Sequence, residues 1–144
     1  MNVRSWAAAT ALSIGAVAGA WSQAISLRPG EYEAVVEFQL PGETQPMVME
    51  HLACVTSVEA ADLLKVITEG MAEEEGCEVS NFKQSARAVS FEMTCDVDGQ
   101  RVLSTAQMTF DSDSYTSTMT MNMGKEQITG RGSGRWVRAT CSSE

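Results

Sequence analysis

A curved antiparallel sheet of about seven strands packed on one helix, an α+β fold that is mainly β, is what this chain of 144 residues predicts. Three observations lead there. From Glu31 onward, apolar and polar residues alternate through most of the chain with the period of a half-buried strand. A single stretch after Thr56 switches to helical spacing. Four cysteines, Cys54, Cys77, Cys95 and Cys141, lie behind an N-terminus suited to export, and exported thiols become disulfides.

The N-terminus comes first. Arg4 closes a short basic region, and Ser5 to Ala20 is built almost wholly of small and aliphatic residues, so residues 1–24 read as a secretory signal peptide. Ser22 and Ala24 satisfy the small-residue rule for cleavage after Ala24; Ala18 and Ala20 satisfy it for cleavage after Ala20. Cleavage after Ala24 is preferred because it leaves Ile25-Ser26 as a brief lead-in to Leu27-Arg28-Pro29-Gly30. The apolar stretch is shorter than the ~20 residues that span a bilayer. No later segment is apolar enough to form a stable span. Residues 25–144 are then one exported β-rich domain. Without Arg4, nine Lys and Arg face nineteen Asp and Glu, a formal charge of −10 against −9 for the whole chain. Such a surface, with its bases scattered, repels phosphate backbones and argues against a nucleic-acid partner.

The elements follow in order. Tyr32, Ala34, Val36, Phe38 and Leu40 alternate with Glu31, Glu33, Glu37 and Gln39, and Pro41-Gly42 ends this first strand. Met47 to Cys54 reads as a second strand with apolar residues on both faces. Thr56 to Glu59 matches a capping box, so a helix starts there, with Ala60, Leu63, Leu64, Ile67 and Met71 on its apolar side. Gly76 ends it after the acidic run Glu73 to Glu75, which is a solvated helix end. From Cys77 the chain reads as a meander. Val89, Phe91, Met93 and Cys95 lie on one face of a strand, and Asp98-Gly99 makes a tight hairpin turn. Val102, Ala106, Met108 and Phe110 share a face of the next. Tyr115, Met119, Met121 and Met123 alternate with threonines in the strand after that. The last strand runs from Glu126 to Arg138, and its glycines Gly130, Gly132 and Gly134 predict a bulge or a sharply curved edge. The pattern leaves open whether the sheet closes into a partial barrel.

Cys77 and Cys95 are equidistant from residue 86, where the polar stretch Gln84 to Arg87 should turn a hairpin. That register sets them opposite each other, within reach of a bridge. By elimination Cys54 pairs with Cys141. Neither redox nor zinc chemistry fits, because no two cysteines have close spacing.

Arg28-Pro29-Gly30-Glu31-Tyr32-Glu33, Cys54-Val55-Thr56, Cys77, Cys95, Asp113-Ser114-Tyr115, and Ser133-Gly134-Arg135 with Cys141 resemble, in order, a family of exported bacterial proteins catalogued as domain of unknown function 3617. Members commonly carry Trp where this chain has Tyr32. The resemblance implies a Gram-negative periplasmic or secreted setting and no established activity.

No nucleophile-and-base motif, metalloprotease motif or phosphate loop is present, and His51 is the one histidine, so a non-enzymatic module without a cofactor is expected. The methionines offer more. Nine in the full chain is high, and they concentrate in strands. Soft, adaptable thioethers on a curved face with Phe91, Met93, Met108, Phe110, Tyr115, Met119, Met121 and Met123 predict a pocket for a small hydrophobic ligand. Two alternatives stand beside it. Met47, Met49 and His51 share a strand face, and together with Met119, Met121 and Met123 they would suit Cu(I). In the other alternative the methionines are core filler in a structural or interaction domain.

Overall fold

The computed structural model describes residues 25–72 and 76–142; the signal-peptide expectation for residues 1–24, the acidic run 73–75 and the side chain of Met71 lie outside the described part. Seven strands form one antiparallel sheet: β1 (Gly30–Gln39), β2 (Met47–Val55), β3 (Cys77–Gln84), β4 (Ala88–Val97), β5 (Gln100–Phe110), β6 (Ser114–Met123) and β7 (Glu126–Arg138). Their order is β2-β1-β7-β6-β5-β4-β3. Strands β3 to β7 are the expected meander, and β7 then pairs with β1, a strand about a hundred residues earlier in the chain. The sheet is open, with β2 and β3 as its two edges.

The helical segment connects those edges. Its capping box is present in full: the Glu59 amide donates to the Thr56 hydroxyl at 3.2 Å, and the Thr56 amide donates to the Glu59 carboxylate at 2.8 Å. The helix comes in two pieces, α1 (Ser57–Ala61) and α2 (Leu63–Ala72), rather than one. Asp62 explains the break. Its backbone leaves the helical region, and its side chain accepts from the Lys65 amide at 3.3 Å, recapping the chain as a second start.

The glycines of β7 behave differently from expectation. β7 is an interior strand, not an edge, and its pairing with β1 runs unbroken from Glu33↔Arg135 to Gln39↔Thr129. The one irregularity lies between Glu31 and Tyr32, beyond the glycines. Gly130, Gly132 and Gly134 form instead a bare strip on the inner face, on which neighbouring side chains lie. A Cβ at Gly134 would overlap the Tyr115 ring, and one at Gly130 would sit 3.1 Å from Phe38 and 3.6 Å from the Met119 methyl. Side chains of β1 and β6 thus meet across β7.

The core gathers on that inner face, where Tyr32, Val89, Phe91 and Phe110 of the sheet meet Leu63 of α2. Ile25 and Leu27 join them, although the sequence marks Ile25 only as part of a lead-in to the segment that Leu27 opens. Burying each such side chain contributes roughly 1.5–3 kcal/mol. With so few of them, the two disulfides matter to stability. Both pairs are as expected. Cys77–Cys95 closes the β3–β4 hairpin with Cα atoms 4.0 Å apart, and Cys54–Cys141 ties the C-terminal segment to β2 at 5.6 Å.

Candidate functional site

The register sorts the apolar residues of the sheet. On the inner face, Met47, Met49, His51 and Ala53 of β2 stand opposite Phe38, Val36, Ala34 and Tyr32 of β1, while Met119 and Met121 of β6 stand opposite Gly130 and Ile128 of β7. This resolves the two-faced β2: Val48, Glu50, Leu52 and Cys54 point to the outer face. Alternation along each strand makes this partition unavoidable once the pairing is set.

Two zones of the inner face then differ in cover. Around the start of β1 and across β4 and β5, Tyr32 and Val89 are fully buried and Phe110 is 3% exposed. At the tips of the β1–β2 and β6–β7 hairpins, Met47 and Met49 are nearly half exposed, Met123 is 38% exposed, and Val36, Phe38, Met119, Met121 and Ile128 are half-buried. Phe38 and Met119 meet over Gly130, so the β2 and β6 methionines belong to one apolar patch with Phe38 at its centre. Val36, Phe38 and Ile128 were not assigned to the site from sequence, although Val36 and Phe38 show there as the apolar face of a strand.

Of the residues expected to line a pocket, Phe91 and Phe110 are core residues. Met93 and Met108 are half-buried along β4 and β5. Tyr115 lies over Gly134 at the boundary between the zones, its centroid 6.1 Å from that of Tyr32. Burial raises the phenol pKa of Tyr115; burial and the charge of Asp113 raise that of Tyr32, so both rings stay neutral. The patch is open rather than enclosing. Five depressions that indent the described surface, among them one of about 290 Å³ beside Asn81, Lys83, Phe91, Glu92, Thr105 and Thr118, are lined by no methionine.

His51 shares the inner face with Met47 and Met49. Two strands, β1 and β7, separate this group from Met119, Met121 and Met123, about 14 Å measured along the sheet at the usual strand spacing. Among the described residues, no three or more His, Cys, Asp or Glu side chains cluster in a way that could hold a metal ion.

The covered end is bound together by polar contacts. The Arg28 guanidinium lies 3.6 Å from the centre of the Trp136 ring and 3.7 Å from Asp113. The Trp136 indole donates to the Pro29 carbonyl at 3.0 Å, and the Tyr32 hydroxyl donates to the Arg28 carbonyl at 2.7 Å. On the outer face, Arg135 pairs with Glu33 at 2.6 Å. Glu31, its side chain 3% exposed, accepts from the Ser142 amide at 2.7 Å and from Arg138. The Ser142 amide, the Ser142 hydroxyl and then Arg138 hold its carboxyl below the usual carboxylate range, outweighing the effect of burial.

These contacts join the short motifs near Arg28, Asp113, Gly134 and Cys141. A known family model matches residues 27–141, a span that includes all of them. The chain belongs to the family described as protein of unknown function (DUF3617). No curated protein and no solved structure matches it. The matched span includes both the clamp at the covered end and the methionine patch. No helix among the described residues is long and apolar enough to cross a membrane.

Proposed function

We propose that the protein is an exported, periplasmic or secreted, non-enzymatic binding module that takes up a small hydrophobic ligand on the methionine patch. One observation carries this reading: a contiguous apolar surface at the two hairpin tips, left uncovered on a face that is otherwise core. Contiguous exposed apolar surface rimmed by polar residues marks contact with a ligand or partner. Thioethers supply a surface that adapts to ligands of different shape. An open patch returns about 25 cal/mol per Å² covered, against an association cost of several kcal/mol, so affinity should be modest and a flexible acyl chain suits it better than a rigid head group.

Native mass spectrometry of the protein purified from its own periplasm tests this. A retained lipid-like mass supports the reading. A retained copper ion would replace it with a Met and His copper site, and protein without either would leave the patch without a ligand role. Recovery of the full-length chain in the cytosolic fraction would overturn the exported setting.

A further inference from the structure

The two open edges of the sheet are built differently. Along β3, pairing with β4 shifts between Ser80 and Lys83, Asn81 adopts a positive φ of 51°, and Glu78 and Lys83 project from the strand. A bulge and charges of this kind spoil an edge as a template for another strand. β2 has no such protection. Its nine pairings with β1, from Val55↔Gly30 to Met47↔Phe38, run without a shift. It contains neither Pro, Gly nor Lys, and Glu50 is its single carboxylate. Every residue from Met47 to Leu52 is exposed, with Val48 and Leu52 just over half exposed on the outer face and Met47 and Met49 just under half on the inner. A helix laid on this strand would cover one face only. An added strand continues the sheet, pairs with the open backbone groups and sets side chains beside those of β2 on both faces.

We infer that β2 pairs antiparallel with β2 of a second copy of this chain, joining the two sheets edge to edge. His51 is the midpoint of Met47–Val55, so a two-fold axis there gives every residue of the strand a partner and keeps each face continuous. On the inner face Met47 meets Val55 and Met49 meets Ala53 of the second copy. On the outer face Val48 meets Cys54 and Glu50 meets Leu52. Moving the axis to Glu50 would set two carboxylates directly opposite, which is unfavourable. Charge does not oppose this edge: Glu50 is the strand's one carboxylate, and the axis at His51 sets Leu52 opposite it. The pairing is independent of ligand binding on the patch, although it would place the β2 methionines of both copies on one continuous face.

Sedimentation velocity over a concentration series, on the exported protein stripped of bound ligand, tests the inference together with amide hydrogen exchange. Association to a dimer is expected, with protection of Met47–Val55 rising with concentration while Cys77–Gln84 is unchanged. Val48→Lys with Leu52→Lys should abolish association and leave the circular dichroism spectrum intact; should that variant not fold, exchange in the wild type still decides. A protein that stays monomeric throughout, or a dimer whose concentration-dependent protection falls outside β2, would overturn it. So would protection of β2 that appears only when a hydrophobic ligand is restored to the monomer.

Discussion

The covered and uncovered ends of the inner face use the same strands for opposite purposes. At the covered end every large side chain has a partner: Tyr32 reaches the Arg28 carbonyl, Trp136 stacks under Arg28 and bonds Pro29, and Tyr115 lies on the floor that Gly134 leaves bare. At the hairpin tips the same strip of glycine continues, but what lies over it is Phe38 and Met119, with Met47, Met49 and Met123 open to solvent beside them. Branched aliphatic and aromatic side chains held by hydrogen bonds give one packing. Unbranched thioethers give many, and a surface with many packings is suited to contact rather than to specifying a fold. Stability should therefore reside at one end and binding at the other.

The sharpest way to break that contrast is to compare truncations. Tyr32→Ala removes a fully buried ring and its hydrogen bond, and should lower unfolding free energy by about 3–5 kcal/mol in denaturant titrations. Met47→Ala, at a position 48% exposed, should cost within about 0.5 kcal/mol. Equal losses would mean that the hairpin tips are core after all.

Gly134→Ala probes the strip itself. A methyl there overlaps the Tyr115 ring, and overpacking of that kind typically costs about 1–3 kcal/mol. At Gly130 the nearest atoms are the Phe38 ring edge and the mobile Met119 methyl, so Gly130→Ala should cost less. Thermal melts of the two variants would show whether the rigid end is as rigid as its contacts imply. A smaller loss at Gly134 than at Gly130 would reverse the comparison.

These two glycines also show where sequence reading stops. Strand alternation, the Thr56–Glu59 capping box, the Asp98-Gly99 turn and the Cys77–Cys95 register are local, encoded within a few residues or one hairpin, and all are present in the structure. Asp98 and Gly99 adopt positive φ of 52° and 78°, as that turn requires. Whether β7 is an edge depends on its pairing with β1, and nothing local to Gly130, Gly132 and Gly134 carries that information. The bulge near Asn81 likewise left the cysteine register intact while shifting the rest of the hairpin by one residue. For the candidate site, alternation placed the methionines on one face with Phe91 and Phe110. It could not say which part of that face α2 and the Ile25–Leu27 segment cover, because cover is a tertiary property.

The outer side of the covered end should respond to pH. Ser142 and Arg138 hold the Glu31 carboxyl below the usual carboxylate range, so its contribution is present above the unfolded value and is lost as pH falls through the lowered folded value. In Glu31→Gln this segment of the stability profile should flatten while that of Met47→Ala follows the wild type. Parallel profiles for wild type and Glu31→Gln in acid would show that the latch between β1 and the C-terminal segment carries no such linkage.

The smallest expected change in stability is the most informative about function. Replacing Met119, Met121 and Met123 with Leu nearly conserves volume, and such swaps usually cost less than about 1.5 kcal/mol each even in a core. On a half-exposed patch the loss should be smaller. Binding of a fluorescent fatty-acid probe should persist in this triple variant, because contact area is retained though softness is reduced. Met119→Glu should abolish it by placing a carboxylate beside Phe38 at the patch centre, where the probe would have to desolvate it. A copper site responds the other way: three lost thioethers remove donors that Leu cannot replace, and His51→Ala removes the imidazole. Tight Cu(I) binding by the wild type, lost in the Leu triple variant, would assign the uncovered end to a metal. Probe binding that is equally insensitive to Leu and to Glu at position 119 would move the ligand off this patch, and the division of the inner face into a stable end and a binding end would fail with it.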